Sequence, residues 1–193
     1  MRELKRQLFH MLFGVAFVLL FYFELITLRH LFLLIIIAIL LSFLAQKRPL
    51  PGLSWFLHRF ERGQDLVLFP GKGLIFYMIG IFFALLIAPL DIALAAIMIL
   101  AFGDSISHLA GLHLGRTKHP FTDKKNLEGM LAGIVAGFIG AIYFVEWYEA
   151  LAAAVVAMLI EGIDWKLGFH KIDDNLLIPI GACLIILMIR GIF

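Results

Sequence analysis

The chain has 193 residues, of which 63% are hydrophobic and only 16% charged, with 16 Lys+Arg against 14 Asp+Glu and a mean hydropathy of +1.02. Soluble domains carry about 45–50% apolar and about 25% charged residues, and a chain of this length cannot bury such an excess. This excludes a soluble enzyme, a disordered segment and a disulfide-stapled secreted domain, and the near-neutral charge excludes a nucleic-acid partner. What is left is an all-α, polytopic membrane bundle, a single domain over residues 1–193. One cysteine, Cys183, permits no disulfide framework.

In chain order, Arg2, Lys5 and Arg6 precede an apolar run, as in a signal peptide. No small-residue cleavage site follows it, so the run predicts a retained first helix. A span needs about 20 apolar residues, and the segments 8–26, 28–45, 73–88, 92–113, 127–145, 149–163 and 176–193 qualify, which gives about seven spans. Segments 73–88 and 149–163 are short and could be re-entrant. Between the second and third spans, 53–60 mixes aromatics with bases. It reads either as an interfacial amphipathic helix or as a helix packed on the bundle.

Charge placement orients the bundle. Of the 16 Lys+Arg, only Arg29 and Arg190 fall on one side of a seven-span chain. The N-terminal segment and the 46–72, 114–126 and 164–175 loops carry the rest, Arg62 among them. The positive-inside rule therefore puts the N-terminus in the cytoplasm and the C-terminus outside. Trp147 and Tyr148 suit the aromatic belt at the outer interface.

Few polar residues lie inside the spans. Asp104 is the costliest, because a charge at mid-helix costs about 2.5–3.5 kcal/mol and defaults to function. His108, Gly111 and Gly115 follow on the same helix face. The next loop carries Arg116, Lys118, Lys124 and Lys125 and runs into a helix with Glu128 in its first turn. Lysines at a helix N-terminus make an anion site. Gly129, Gly133, Gly137 and Gly140 then form a stripe for close helix packing, with a homodimer contact as its other use.

Pro70-Gly71-Lys72-Gly73 places glycines around a lysine, in a pattern that is not a Walker A loop. Glu161, Asp164, Asp173, Asp174 and Asn175 bring carboxylates to the side that holds the bases, and Asp174-Asn175 also suits a helix cap. His10 shares a face with Arg6 and Gly14. Carboxylates that hold Mg²⁺, with lysines and helix N-termini that hold phosphate, are the tools of phosphoryl or nucleotidyl transfer. A site at the membrane face points to a lipid acceptor.

Gly103-Asp104, then Gly111 and Gly115, then Lys125-x-x-Glu128-Gly129 resembles the signature of the CTP-dependent lipid-alcohol kinases. That group holds dolichol (polyprenol) kinase, phytol kinase and the CTP-dependent diacylglycerol kinase. Glu3-x-x-Arg6-x-x-x-His10-x-x-x-Gly14 is similar to its N-terminal helix, Pro70–Gly73 to its second cytoplasmic loop, and Glu161 with Asp174-Asn175-Leu176-x-x-Pro179 to its C-terminal pattern. One residue departs: Asn126 stands where the family commonly has Ser or Thr.

The resemblance implies transfer of the CTP γ-phosphate to a long isoprenoid alcohol, dolichol or polyprenol, with Mg²⁺ as cofactor. Its catalytic residues would be Asp104, Lys125 and Glu128, and its metal ligands Asp104, Glu128 and Asp174. The nucleotide would lie on Gly71, Lys72, Gly73, Gly115, Arg116, Lys124, Asn126, Asp174 and Asn175, with His10, His108 and Glu161 as further candidates. The site would face the cytoplasm from the cell membrane or an ER-like membrane. Two other readings use the same residues: a cytidylyltransferase that makes a CDP-lipid, and a small transporter with Asp104 as its ion site.

Overall fold

The computed structural model describes residues 2–48, 50–60, 69–120, 122–163, 165–167 and 170–192. Arg62 and Asp164 lie outside the described residues, and so does the side chain of Lys124. Each predicted apolar segment holds a helix: α1 (Arg2–Tyr22), α2 (Leu28–Lys47), α4 (Lys72–Ile87), α5 (Leu90–Met98), α6 (Ser105–Leu114), α7 (Leu127–Ala141), α8 (Trp147–Glu161) and α9 (Asp174–Ile189). A π-helical segment, Ile99–Asp104, joins α5 to α6 in one rod. Glu3–Tyr22, Leu28–Lys47 and Leu90–Leu114 are long and apolar enough to cross a membrane, and α4, α7 and α9 are shorter apolar helices.

The rod Leu90–Leu114 is the axis of the bundle. Its apolar window is 67% buried, against 17% for α2. Ile92 to Ile97 are all buried, with α1, α4, α7 and α9 packed around them. By contrast α2 packs against α4 and shows Phe32, Leu33, Ile37, Leu40 and Phe43 at its surface. So large an apolar face fits a lipid solvent, not water.

Small residues set how closely the helices approach. On α7, Gly133 faces the rod: a Cβ there would sit 2.5 Å from Met158 Sδ and 2.8 Å from the Gly103 carbonyl. A Cβ at Gly129 would lie 2.6 Å from the Ser107 carbonyl. At Gly137 and Gly140 the contacts are looser, a Cβ lying 3.4 Å from Ile99 and 3.2 Å from Met98. The glycine stripe is therefore spent inside the chain, on the packing of α7. At the α4–α9 crossing, Pro179 has no N–H for the Asn175 carbonyl four residues back, and a Cβ at Gly80 would collide with that carbonyl.

The segment around 53–60 forms α3 (Pro51–Phe60). Its Leu57 is buried and its Phe60 ring lies 5.0 Å from Phe9 of α1, while Trp55 is exposed beneath Arg59. Two of the polar loops fold into small antiparallel hairpins, β1 (Lys118–His119) with β2 (Thr122–Asn126), and β3 (Lys166–Leu167) with β4 (His170–Lys171). The first hairpin runs directly into α7 and carries Lys125. On the opposite side of the bundle, Arg190 clamps three helix ends, reaching Glu149 at 2.7 and 2.9 Å and Asp91 at 2.6 Å.

Candidate functional site

Five elements converge at one end of the bundle: the end of the π segment, β2, the end of α8 and the starts of α4 and α9. Lys125 Nζ donates to Glu161 Oε1 at 2.6 Å and to Asp174 Oδ2 at 3.5 Å. Glu161 is buried at 3% exposure and its second oxygen accepts from Ser107 Oγ at 2.9 Å. Burial works against the Lys125 ammonium, but the carboxylates of Glu161, Asp174 and Asp104 outweigh it and hold its pKa above the ordinary lysine range. The lysine is a fixed cation on the surface of an acidic cluster.

Asp104 ends the π segment and is half-buried. Its charge acts on Tyr77, Lys125, Glu161 and Asp173. Among the described residues it makes no hydrogen bond or ion pair. An intramembrane carboxylate without such a partner is costly to keep, and π segments frequently occur at functional sites. Tyr77 also ties α4 to α1, since its hydroxyl donates to the His10 carbonyl at 3.3 Å and its ring meets the His10 ring edge-on at 5.2 Å.

The start of α9 meets the start of α4. Asp173 caps α9 by accepting from the Asn175 N–H at 3.1 Å, and Asn175 Nδ2 donates to the Gly73 carbonyl at 3.4 Å. Burial raises the Asp173 carboxyl above its usual range; Asp174 and Asp104 push the same way, while the Asn175 N–H and Lys72 oppose them. Asp174 thus meets Lys125, Lys72 acts on the charge of Asp173, and Asn175 ties the start of α9 to Gly73. Gly71 adopts φ +83° at the α4 N-cap, a conformation that favours glycine. A Cβ at Gly73 would meet nothing within 4 Å.

Other expected residues are engaged elsewhere. Glu128 accepts the Thr117 N–H at 3.0 and 3.3 Å and closes the hairpin onto α7; among the described residues it does not join Asp104 and Asp174 in a metal cage. Asn126 donates to the Gly111 carbonyl at 3.0 Å, and a Cβ at Gly115 would strike its amide. Gly111 and Gly115 therefore make room for Asn126 and α7. Arg116 is exposed. His108 turns to α1, 2.7 Å from Glu3 Oε1, which also accepts from Arg6 at 2.5 Å and Gln7 at 2.9 Å. Ser107, Tyr77 and Asp173 belong to the site without having been singled out as its residues. Ser107 carries a signal, one helical turn after Asp104, and Asp173 carries another, as one of the carboxylates on the side that holds the bases.

The donor set suits a magnesium ion that arrives with a nucleotide. Among the described residues no three His, Cys, Asp or Glu side chains converge as a metal site. Mg²⁺ is commonly held by one or two carboxylates and the substrate phosphates, and Asp104 and Asp174 supply that number.

No family model and no solved structure matches the chain. An uncharacterised protein of Methanocaldococcus jannaschii is 33% identical over 190 residues, 96% of this chain and 93% of that one. The probable phytol kinase 2 of Oryza sativa is 30% identical over 130 residues, 59% of this chain. The CTP-dependent diacylglycerol kinase 1 of Schizosaccharomyces pombe is 30% identical over 131 residues, 61% of this chain. The matches cover 42% and 60% of those two kinases. These relatives are phytol kinases and CTP-dependent diacylglycerol kinases, and the likeness of the chain to them fits the CTP-dependent lipid kinase family.

Proposed function

We propose that the chain is an integral-membrane kinase that transfers the γ-phosphoryl group of CTP to the hydroxyl of a long-chain isoprenoid alcohol, a polyprenol or dolichol, at the cytoplasmic face. The observation that carries this is Asp104, an intramembrane carboxylate without a hydrogen-bond partner among the described residues, beside a lysine already held as a cation. The names of the relatives, kinases of phytol and of diacylglycerol, support a lipid acceptor and CTP as donor.

In this reading Lys125 and Lys72 neutralise phosphate charge, and the open backbone at Gly73 admits the nucleotide. Asp104 and Asp174 would hold magnesium, which when bound offsets charge on the phosphates. The alcohol oxygen bonds to the γ-phosphorus as the bond from that phosphorus to the β,γ-bridging oxygen breaks. CDP leaves with the electron pair, and the hydroxyl proton passes to a carboxylate of the cluster. Positioning and charge neutralisation are the main demands of phosphoryl transfer.

The test offers purified protein γ-labelled CTP or ATP with polyprenol, phytol and diacylglycerol. Labelled lipid phosphate plus CDP is the expected product. Release of pyrophosphate would instead establish a cytidylyltransferase. Asp104→Asn should lose at least about a hundredfold in kcat while folding normally, the scale of one lost electrostatic contact to the transition state. Near-normal turnover by that variant refutes the assignment.

A further inference from the structure

A cavity of about 70 Å³ lies beside the Lys125–Glu161 pair, under the first hairpin. Its polar lining comes from Ser107, His108, Lys125, Asn126, Glu161 and the buried His119. Its apolar lining comes from the fully buried Met158, from Met130 and from Leu112, whose side chain is 59% exposed. The cavity thus offers both hydrogen-bonding groups and apolar surface, and it lies next to the residues proposed to hold the nucleotide.

We infer that this cavity seats the hydroxyl end of the acceptor and selects a single-chain primary alcohol over a two-chain glycerolipid. The inference rests on the kinase reading and names its acceptor subsite. Charge decides against phosphate as the occupant. Glu161 lines the cavity, and a phosphate beside it would face a buried carboxylate. A neutral hydroxyl can donate to that carboxylate and accept from Lys125 or Ser107 without a like-charge penalty.

Size decides between acceptors. The space is several times the ~10–15 Å³ that one enclosed water needs. It fits a hydroxymethyl group and the start of one chain more closely than a glycerol carrying two esters. Methionines suit the wall of such a pocket because their flexible thioethers follow an irregular chain. Leu112 continues the apolar path into the exposed surface of the bundle, where the rest of the chain would meet lipid.

The test uses the full chain reconstituted in lipid vesicles. Leu112→Trp crowds the lip at an exposed position that the fold tolerates. It should lower kcat/KM for geranylgeraniol by about tenfold or more while the KM for CTP stays unchanged. Met130→Ala widens the wall and should raise the ratio of diacylglycerol to geranylgeraniol phosphorylation by a similar factor. A geranylgeraniol carrying a diazirine, photolysed without CTP, should label peptides containing Leu112 or Met130. Labelling that maps elsewhere, or variants that leave both the ratio and the alcohol kcat/KM unchanged, overturns the pocket even if the protein is a kinase. A wild type that transfers no phosphate from CTP to any lipid, yet is labelled at Leu112 or Met130, overturns the kinase reading and keeps the alcohol pocket.

Discussion

The Lys125–Glu161 pair separates what the site does for stability from what it does for transfer. Glu161 is 3% exposed and, among the described residues, holds only Lys125 at 2.6 Å and Ser107 at 2.9 Å. Lys125→Met leaves that carboxylate with a neutral hydroxyl for company and the charge of Asp104 nearby. Breaking a buried pair by removing one partner costs about 3–5 kcal/mol. The lysine is 26% exposed, so water recovers part of the loss and about 3 kcal/mol is expected. For a chain of this size each kcal/mol moves Tm by about 2–4 °C, which gives a fall of about 6–12 °C. The double variant Lys125→Met/Glu161→Leu replaces both charges with apolar groups and should melt within a few degrees of wild type. Both variants should lack phosphoryl transfer, because the cation is gone from each. Thermal unfolding in detergent, followed by tryptophan fluorescence, reads the first effect, and labelled CTP reads the second. A Lys125→Met protein that melts with the wild type shows that the pair does not hold Glu161. A double variant that regains turnover removes Lys125 from the reaction.

Gly73→Ala adds a methyl where nothing lies within 4 Å and should gain about 0.5–1 kcal/mol of helix stability. If Gly73 backs the nucleotide, the same change raises the KM for CTP severalfold; an unchanged KM takes the loop out of the site. Arg190→Met leaves Glu149, itself 3% exposed, without its bidentate partner and should cost about 3 kcal/mol in a melting experiment, with kcat nearly unchanged because the clamp lies at the far side of the bundle. Asp173 tests pH. Burial raises its folded carboxyl above the ordinary value of 3.8, so its charge costs stability progressively as pH rises from that value through the folded one. Asp173→Asn keeps a capping side chain and should melt higher than wild type at neutral pH, with the gain gone below about pH 3.8. A variant that melts lower at neutral pH contradicts the burial argument.

The helices were legible because membrane solvation writes them as hydropathy runs. Each expected segment holds a helix with ends shifted by a few residues, as at 73–88 against Lys72–Ile87. Asp104 was legible for the same reason: in so apolar a chain a mid-helix carboxylate has a cost that demands an explanation. Lys125 and Asp174 meeting at 3.5 Å follows from the charges sharing one side of the bundle. What spacing could not supply was direction. Glu128 lies three residues after Lys125, yet the hairpin turns back so that its carboxylate meets the Thr117 N–H. Asn126, next to Lys125, faces α6, because alternate residues of β2 point to opposite sides. His108 sits one turn beyond Asp104 and so shares its face by the usual count, yet its ring is committed to Glu3 of a distant helix. The π segment ending at Asp104 adds a different obstacle. A count of 3.6 residues per turn places a side chain only while the helix stays regular, and here the wide turn lies immediately before the residue that matters. Backward counting from Asp104 to Leu100 or Ile97 therefore assigns the wrong face, and no composition signal in Ile99–Asp104 announces it. That irregularity is also the best structural reason to place function at Asp104, since a wide turn is tolerated only where the surrounding packing holds it. Gly103 and Gly133 supply that packing, and from the end of the turn the Asp104 charge acts on Lys125.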